Sequence, residues 1–367
     1  MHLSKSSLKL VMPVLAAVAV SSCAFKHKKY ENPITAQTQQ PDKILFDKAI
    51  KDLEKGHYEI ARITLNTLIN TYESSEYLAK AKLAIADAWY REGGARGRAQ
   101  AEAEYKDFIL FYPTMPEAAE SQEKLCKIHY NQMEKPDRDP NESLRAEQEC
   151  RQVLTQFPNS KFAPEVEQLL RDVQEVLADS EMRVGDFYHR RGSFASAANR
   201  LGGVVDQYPL YSRADEALWL EGDSYTRLGP RFRQQAGDTY TRLVRDYPLS
   251  DYAEQAKSRL KTLELPVPTA DPAAEARMRF EKENRKSPGM FHRLTGFMRQ
   301  SPDTGAAAKS GVPQMNPPKQ SIPVTVPIPG SQAGFQGDVT IAPVTNPAAL
   351  ENNPDARQQP QPASPKP

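Results

Sequence analysis

Most of the arrangements that enzymes need are missing from this chain. Its six histidines, at positions 2, 27, 57, 129, 189 and 292, include no pair at H-x₃-H or HExxH spacing, so no metal site is legible. There is no nucleophile elbow and no cofactor fingerprint. The glycine-rich stretch GGARGRAQAE at 93–102 lacks both the GK[ST] element and a preceding strand of a phosphate loop, and reads as a helix-breaking turn. A charge imbalance is absent too: 48 basic residues face 47 acidic ones, which argues against nucleic acid as a main partner. No long hydrophobic run exists either. The most apolar stretch, Leu10 to Val20, is about half the roughly 18–20 residues that a spanning helix requires, which excludes a permanent anchor helix there.

What that apolar stretch does fit is a secretory signal, since Lys5 and Lys9 precede it and two small serines follow. The junction Val20-Ser21-Ser22-Cys23 resembles the bacterial lipobox, in which the cysteine thiol is the nucleophile that takes up a diacylglyceryl group. Residues 1–22 are then a lipoprotein signal peptide and Cys23 the lipidated first residue of the mature chain. A plain secretory signal with an incidental cysteine is the alternative. Acyl chains contribute about 0.8 kcal/mol per buried CH₂, and several chains together hold a protein firmly on a bilayer. Ala24, where an aspartate would mark retention in the inner membrane, points to the outer membrane.

Residues 23–41 read as a polar tether, with Lys26, Lys28 and Lys29 close to the anchor. At the other end, 18 of the 30 prolines fall after Glu264, where aromatic and branched apolar residues thin out. Such a segment buries too little apolar surface to offset the entropy of ordering, so 266–367 is expected to be a Pro-rich disordered tail. Within it, 277–299 is basic with Phe280, Phe291, Leu294, Phe297 and Met298 interspersed, a pattern that suits a short amphipathic helix interrupted at Pro288-Gly289. The folded part is bounded at about 42 and 265.

Inside those bounds the chain repeats itself. An aromatic residue followed by proline recurs in FYPTMPEAAES, QFPNSKFAPEV, QYPLYSRADEA and DYPLSDYAEQA, and TYESSEYLAKA is a fifth copy with Glu73 in place of the proline. Upstream of these anchors stand Gly56-His57-Tyr58 with Ala61, and Gly192-Ser193-Phe194 with Ala197; Gly185 with Tyr188, and Gly222 with Tyr225, complete the pattern. It resembles the tetratricopeptide repeat (TPR): small residues let paired antiparallel helices approach, aromatic residues fill the space between pairs, glycine ends the first helix and proline stops the second. The predicted architecture is all-α, a superhelical stack of five TPR-like helix pairs over 42–72, 76–112, 116–157, 164–208 and 212–247, closed by a helix at 250–263. An N-terminal group spans 42–160 and a C-terminal group 161–265. Ser75, Ser160, Ser212 and Ser250 fall where the next helix needs an N-cap. A lengthened helix opens the fourth pair: apolar residues at 166, 169, 173, 176, 184 and 187, with a serine at 180, step by three and four, which predicts one continuous helix of about 25 residues.

Repeat register puts Cys126 and Cys150 about one helical turn out of opposition in the third pair, roughly 5.4 Å. That offset predicts two buried free thiols. On the first helices, the positions that line the inner curve of a TPR stack are Lys43, Phe46, Ile50, Leu53 and Glu54 in pair one and Lys80, Leu83, Asp87, Tyr90 and Arg91 in pair two. A strip that mixes apolar groups with a few fixed charges suits an extended peptide, though a solvated helix face carries the same composition. Arg200 occupies an outward position on the second helix of pair four, where a solvated charge is the default.

Lipobox, tether, five TPR-like pairs, the extended helix and the run VGDFYHRRGSFASAANRLGGVVDQYP together resemble the BamD family of outer-membrane assembly lipoproteins. The resemblance covers 42–263 and the lipid signal; Glu73 and the Pro-rich tail depart from it. It implies a non-enzymatic scaffold, without cofactors, on the periplasmic face of the outer membrane, where the β-barrel assembly (BAM) machinery folds and inserts barrel proteins. The N-terminal pairs would receive the aromatic-ended C-terminal targeting segment of an unfolded barrel substrate, and the C-terminal pairs would dock a POTRA domain of the barrel subunit BamA, in company with other BAM lipoproteins. Tyr72 and Tyr77 match the aromatic turn beside the substrate end, and Arg200 matches an arginine that the family uses in communication with the barrel subunit. A TPR lipoprotein of the Tol-Pal or cell-wall coordination type, binding an envelope enzyme, is the reading of a different class that the same features allow.

Overall fold

A computed structural model describes residues 39–285 and 301–316 of the 367-residue chain. The signal peptide, Cys23, most of the tether, the residues 286–300 with their apolar positions, and 317–367 lie outside the described residues. Among those described are twelve α-helices, a short 3₁₀ turn at Pro230–Phe232, and no strand. The five pairs are α1 (Pro41–Glu54) with α2 (Tyr58–Thr71), α3 (Leu78–Glu92) with α4 (Gly94–Phe111), α5 (Pro116–Tyr130) with α6 (Asn141–Gln156), α7 (Ala163–Arg190) with α8 (Phe194–Gln207), and α9 (Ala214–Leu228) with α10 (Arg233–Asp246); α11 (Ala253–Thr262) closes the stack and α12 (Pro272–Asn284) follows. First helices of successive pairs touch one another, α1 with α3, α5 with α7 and α7 with α9.

Local chemistry sets the boundaries. First helices reverse at glycines in the left-handed region, such as Gly56 (φ +78°) and Gly192 (φ +77°), a conformation that a Cβ disfavours. Each second helix ends on an aromatic residue, Tyr72, Tyr112, Phe157, Tyr208 or Tyr247, with φ between −132° and −123° and ψ between 50° and 67°. Proline imposes non-helical ψ on its predecessor. Tyr72 adopts the same conformation ahead of Glu73, so the break survives without the proline.

The N-cap expectation is corrected. The residues at the N-caps of α3, α7, α9 and α11 are Tyr77, Phe162, Arg213 and Tyr252, with no side-chain cap bond. Ser75 and Ser250 stand two residues earlier, where their hydroxyls accept from the Tyr77 and Tyr252 amides (3.1 Å each). The tight turn after each aromatic places the hydroxyl one step short of the first helical turn, so it stabilises the turn and not the helix end.

Small residues bring the paired helices together. A Cβ on Gly222 of α9 would lie 2.5 Å from the Tyr240 ring of α10, and one on Gly185 of α7 would lie 2.6 Å from Leu201 of α8. α7 runs 28 residues, about 42 Å at 1.5 Å per residue. Its buried positions include Val166, Leu170, Val173, Leu177, Met182 and Gly185. The expected stripe therefore holds through 176 and then drifts: Val184 and Phe187, predicted inward, are 37% and 50% exposed. A straight helix has 3.6 residues per turn, and alternating steps of three and four average only 3.5, so the stripe drifts by about 20° per heptad and has left the buried side by its far end.

The prediction of free thiols is overturned. Cys126 of α5 and Cys150 of α6 form a disulfide, with Cα atoms 4.7 Å apart. The repeat count does not carry across the inserted loop 131–140, which resets the register of α6. Fully buried Ala118, Ser121, Ala146 and Ser143 then let the two helices approach closely enough to set the cysteines face to face.

Two stretches of the tail are folded, against expectation. α12 is capped by Asp271, whose side chain accepts from the Ala273 amide, and the Asp271 amide donates to Arg245 of α10 (3.0 Å). Residues 301–316 run as a strap whose Ala307, Ala308 and Pro313 are buried. Proline-rich composition signals a segment unable to build its own core, but it says nothing of one that borrows a core already built.

Candidate functional site

The predicted strip divides into two clusters. Phe46, Ile50, Tyr72 and Tyr77 are half-buried and pack on a core built from Leu45, Ala49, Leu53, Leu65, Leu68 and Ile85. Phe46 of α1 and Tyr77 at the start of α3 lie with ring centroids 5.2 Å apart, and the Lys80 ammonium stands 5.8 Å from the Tyr77 ring. Ser75, in the turn that carries Tyr72 and Tyr77, donates to the Asp42 carboxylate (2.6 Å), pinning the turn to the start of α1. That bond holds the Asp42 carboxyl below its ordinary value.

Leu83 and Tyr90 belong to the second cluster, against Ala86, Ala101, Tyr105, Leu125 and Ile128. Tyr105 of α4 is fully buried and donates its hydroxyl to Asp87 (2.6 Å), so Asp87 is committed to satisfying a core tyrosine. Burial first, and then the Asp87 charge, pushes the Tyr105 hydroxyl far above its usual range. Tyr90 meets Tyr105 edge-on at 6.3 Å, and Lys124 of α5 places its ammonium 5.3 Å above the Tyr90 ring. Arg91 is exposed and joins neither cluster. Two half-buried tyrosines, each overlooked by an ammonium, thus stand at opposite ends of α3, the first helix of pair two, with Phe46 of pair one beside the first and Lys124 of pair three above the second. An aromatic face of this kind takes apolar groups, and the ammonium groups beside it attract an anion.

A residue that sequence reasoning passed over is Trp89, at the same end of α3. Arg62 of α2 lies over its ring at 3.5 Å and pairs with Glu92, and Arg96 approaches it from the other helix of the pair. Its only signal in the sequence was its rarity, one of two tryptophans.

Arg200 sits far along the chain, on α8. It is about half exposed and donates to Glu181 of α7 (2.9 Å), so it bridges the two helices of pair four at the surface beside Gly185. A cavity of about 290 Å³ under Leu210, Tyr247 and Met278, and one of about 650 Å³ between the start of α5 and the α6–α7 turn, contain no residue of the strip. Among the described residues no group of three His, Cys, Asp or Glu could hold a metal ion, and no helix is long and apolar enough to cross a membrane.

Comparison with known proteins gives this geometry a family. The chain is 25% identical over 257 residues to the outer membrane protein assembly factor BamD of Neisseria meningitidis serogroup A, a match that covers 68% of this chain and 94% of that protein. It is 25% identical to the BamD proteins of Caulobacter vibrioides, over 60% of this chain and 70% of the relative, and of Xylella fastidiosa strain 9a5c, over 60% and 76%. The model of the YfiO family, outer membrane lipoproteins, matches residues 38–239, which takes in all of α1 to α9 and half of α10. The helical stack described above is therefore that of a member of the YfiO (BamD) family of outer-membrane protein assembly factors, to which this chain belongs.

Proposed function

We propose that this protein is a non-enzymatic, lipid-anchored scaffold of the BAM machinery on the periplasmic face of the outer membrane. Its N-terminal pairs receive the C-terminal segment of unfolded barrel proteins, and its C-terminal pairs engage a BamA-like barrel subunit through a POTRA domain. Acylation of Cys23 fastens the chain to the periplasm-facing leaflet of the outer membrane, and other BAM lipoproteins complete the assembly.

The observation that carries the substrate half of this reading is the pair of tyrosines under ammonium groups, Tyr77 with Lys80 and Tyr90 with Lys124. A segment that ends in an aromatic residue presents a ring and a terminal carboxylate within one residue. The rings of Phe46, Tyr77 and Tyr90 offer apolar contact for the first, and Lys80 and Lys124 offer charge for the second. Ile50, Tyr72 and Leu83 extend the apolar surface, and Arg91 supplies a further exposed cation at its edge. Asp87 supports the strip from below through Tyr105.

The test is site-specific photo-crosslinking from Tyr77 and Tyr90 positions to a synthetic peptide that ends in phenylalanine. Labelling concentrated at these two positions, and weakened when the peptide is amidated at its C-terminus, is the expected result. Label spread evenly over the surface, or indifferent to the terminal carboxylate, would sink the assignment. For the partner half, co-purification of a BamA-like subunit from mild-detergent envelopes is expected of the wild type and reduced by Arg200→Glu; an envelope enzyme in its place would favour the Tol-Pal type of lipoprotein.

A further inference from the structure

The strap 301–316 is held almost wholly by its main chain. Gln174 of α7, itself 5% exposed, forms a two-way amide pair with Gln314: its Nε2 donates to the Gln314 carbonyl (2.8 Å) and its Oε1 accepts from the Gln314 amide (3.1 Å). Arg151 of α6 donates to the same carbonyl (3.2 Å). Further along α7, Gln168 donates to the Ala308 carbonyl (3.2 Å) and Arg171 to the Gly311 carbonyl (2.8 Å). From the other side, Glu281 of α12 accepts from the Lys309 and Ser310 amides (3.0 and 2.8 Å) and from the Ser310 hydroxyl (2.7 Å). Burial pushes the Glu281 carboxyl up, but these bonds outweigh it and hold it below its ordinary value, as expected of a carboxylate that serves as their acceptor.

Side chains of the strap matter by size. Ala307 and Ala308 are buried at 0% and 3%, a Cβ on Gly311 would lie 2.9 Å from Leu210, and Met315 packs on the core of Val153, Val166 and Leu170. Gln314 and Lys309 are gripped through amide and carbonyl groups that any residue except proline possesses. The strap begins about sixty residues beyond the last position that the family model matches, so it is an addition to the shared fold.

We propose that the face formed by α6, α7 and α12 is a main-chain-reading receptor for an extended polypeptide, and that its occupant is this chain's own segment 304–316. The receptor selects small residues at 307 and 308, glycine at 311 and an apolar residue at 315, and is indifferent to side chains at 309 and 314. Because its donors come from the third pair, from α7 and from α12, the seated strap clasps the N-terminal group to the C-terminal group. This reading stands apart from the proposed groove and would survive its failure.

The test uses the full chain with a specific protease site placed within residues 286–300. After cleavage, the fragment from 301 onward is expected to stay with the helical body through size-exclusion chromatography at micromolar concentration. Lys309→Ala and Gln314→Ala leave retention unchanged, whereas Lys309→Pro and Gln314→Pro, which delete the amide donors, release the fragment. Gln174→Ala weakens retention by about tenfold or more, and Gln174→Ala with Arg171→Ala abolishes it. Hydrogen exchange on the uncleaved chain provides a second readout, with the 309, 310 and 314 amides protected in the wild type and exchanging freely in the double variant. Loss of the fragment from the wild type on cleavage, or release by alanine as readily as by proline, would overturn the proposal.

Discussion

Glu221 of α9 is a carboxylic acid in a buried place. It is 8% exposed, and its Oε1 lies 2.6 Å from where a Cβ of Gly202 on α8 would be, so the absent side chain is what admits it. Burial, and then the neighbouring Asp206 charge, raise its carboxyl to about 8, with Arg242 acting in the opposite sense. The folded value is thus above the ordinary carboxyl value of 4.5, and the neutral acid is the form that the fold prefers. From the lower value to the higher one the unfolded chain binds fewer protons than the native one, so this group's contribution to stability falls as pH rises through that window. Wild-type Tm is expected to drop by several degrees relative to Glu221→Gln between about pH 5 and pH 9, at roughly 2–4 °C per kcal/mol for a fold of this size. Parallel melting profiles for the two proteins would refute the assignment. Asp87 offers a second test at this scale. Asp87→Ala strands the buried Tyr105 hydroxyl and is expected to cost about 1–3 kcal/mol in urea denaturation, and Tyr105→Phe in the same background should recover part of that loss.

At the level of elements, α5 and α6 are the pair most firmly joined. Besides the disulfide, Gln122 donates to both the main chain and the carboxylate of Glu149, and His129 lies 2.8 Å from Glu142. Reduction of Cys126–Cys150, or the double substitution to alanine, is expected to lower unfolding free energy by about 2–4 kcal/mol while leaving helix content by circular dichroism intact. α7 illustrates how far periodicity carries. Its continuity was legible because no proline or glycine pattern interrupts 165–184 and apolar residues recur on one side. Which side faces inward at its far end was not legible, since the drift of a straight helix is resolved only by the neighbours, α8 and α9, that it meets there.

Across the whole molecule, the strip on pairs one to three and Arg200 on pair four lie on different repeats, and the stack gives them no shared side-chain contact. The two proposed engagements should therefore separate. Phe46→Ala with Tyr90→Ala is expected to reduce crosslinking to the aromatic-ended peptide at least tenfold while a BamA-like subunit still co-purifies. Arg200→Glu is expected to do the reverse, and loss of both activities in either variant would mean that the two sites act as one. The repeat made the stack legible because glycine and aromatic-proline punctuation acts locally, within one turn of the residue that carries it. The candidate strip was legible as positions, but not as two clusters. That division depends on which pair's core each tyrosine leans upon, and Asp87's commitment to Tyr105 comes from a residue eighteen positions away on the facing helix.

The sequence by itself determined that the chain is helical, how many pairs it stacks, where the second helix of each pair ends and to which family it belongs, because these follow from short-range conformational preferences and their recurrence. Only the tertiary structure decided that Cys126 meets Cys150, that Glu221 is buried, and that residues 304–316 lie along α7. Each of these depends on helix approach and on contacts spanning from 19 to 163 positions, distances over which local propensity carries no information and only packing selects the partner.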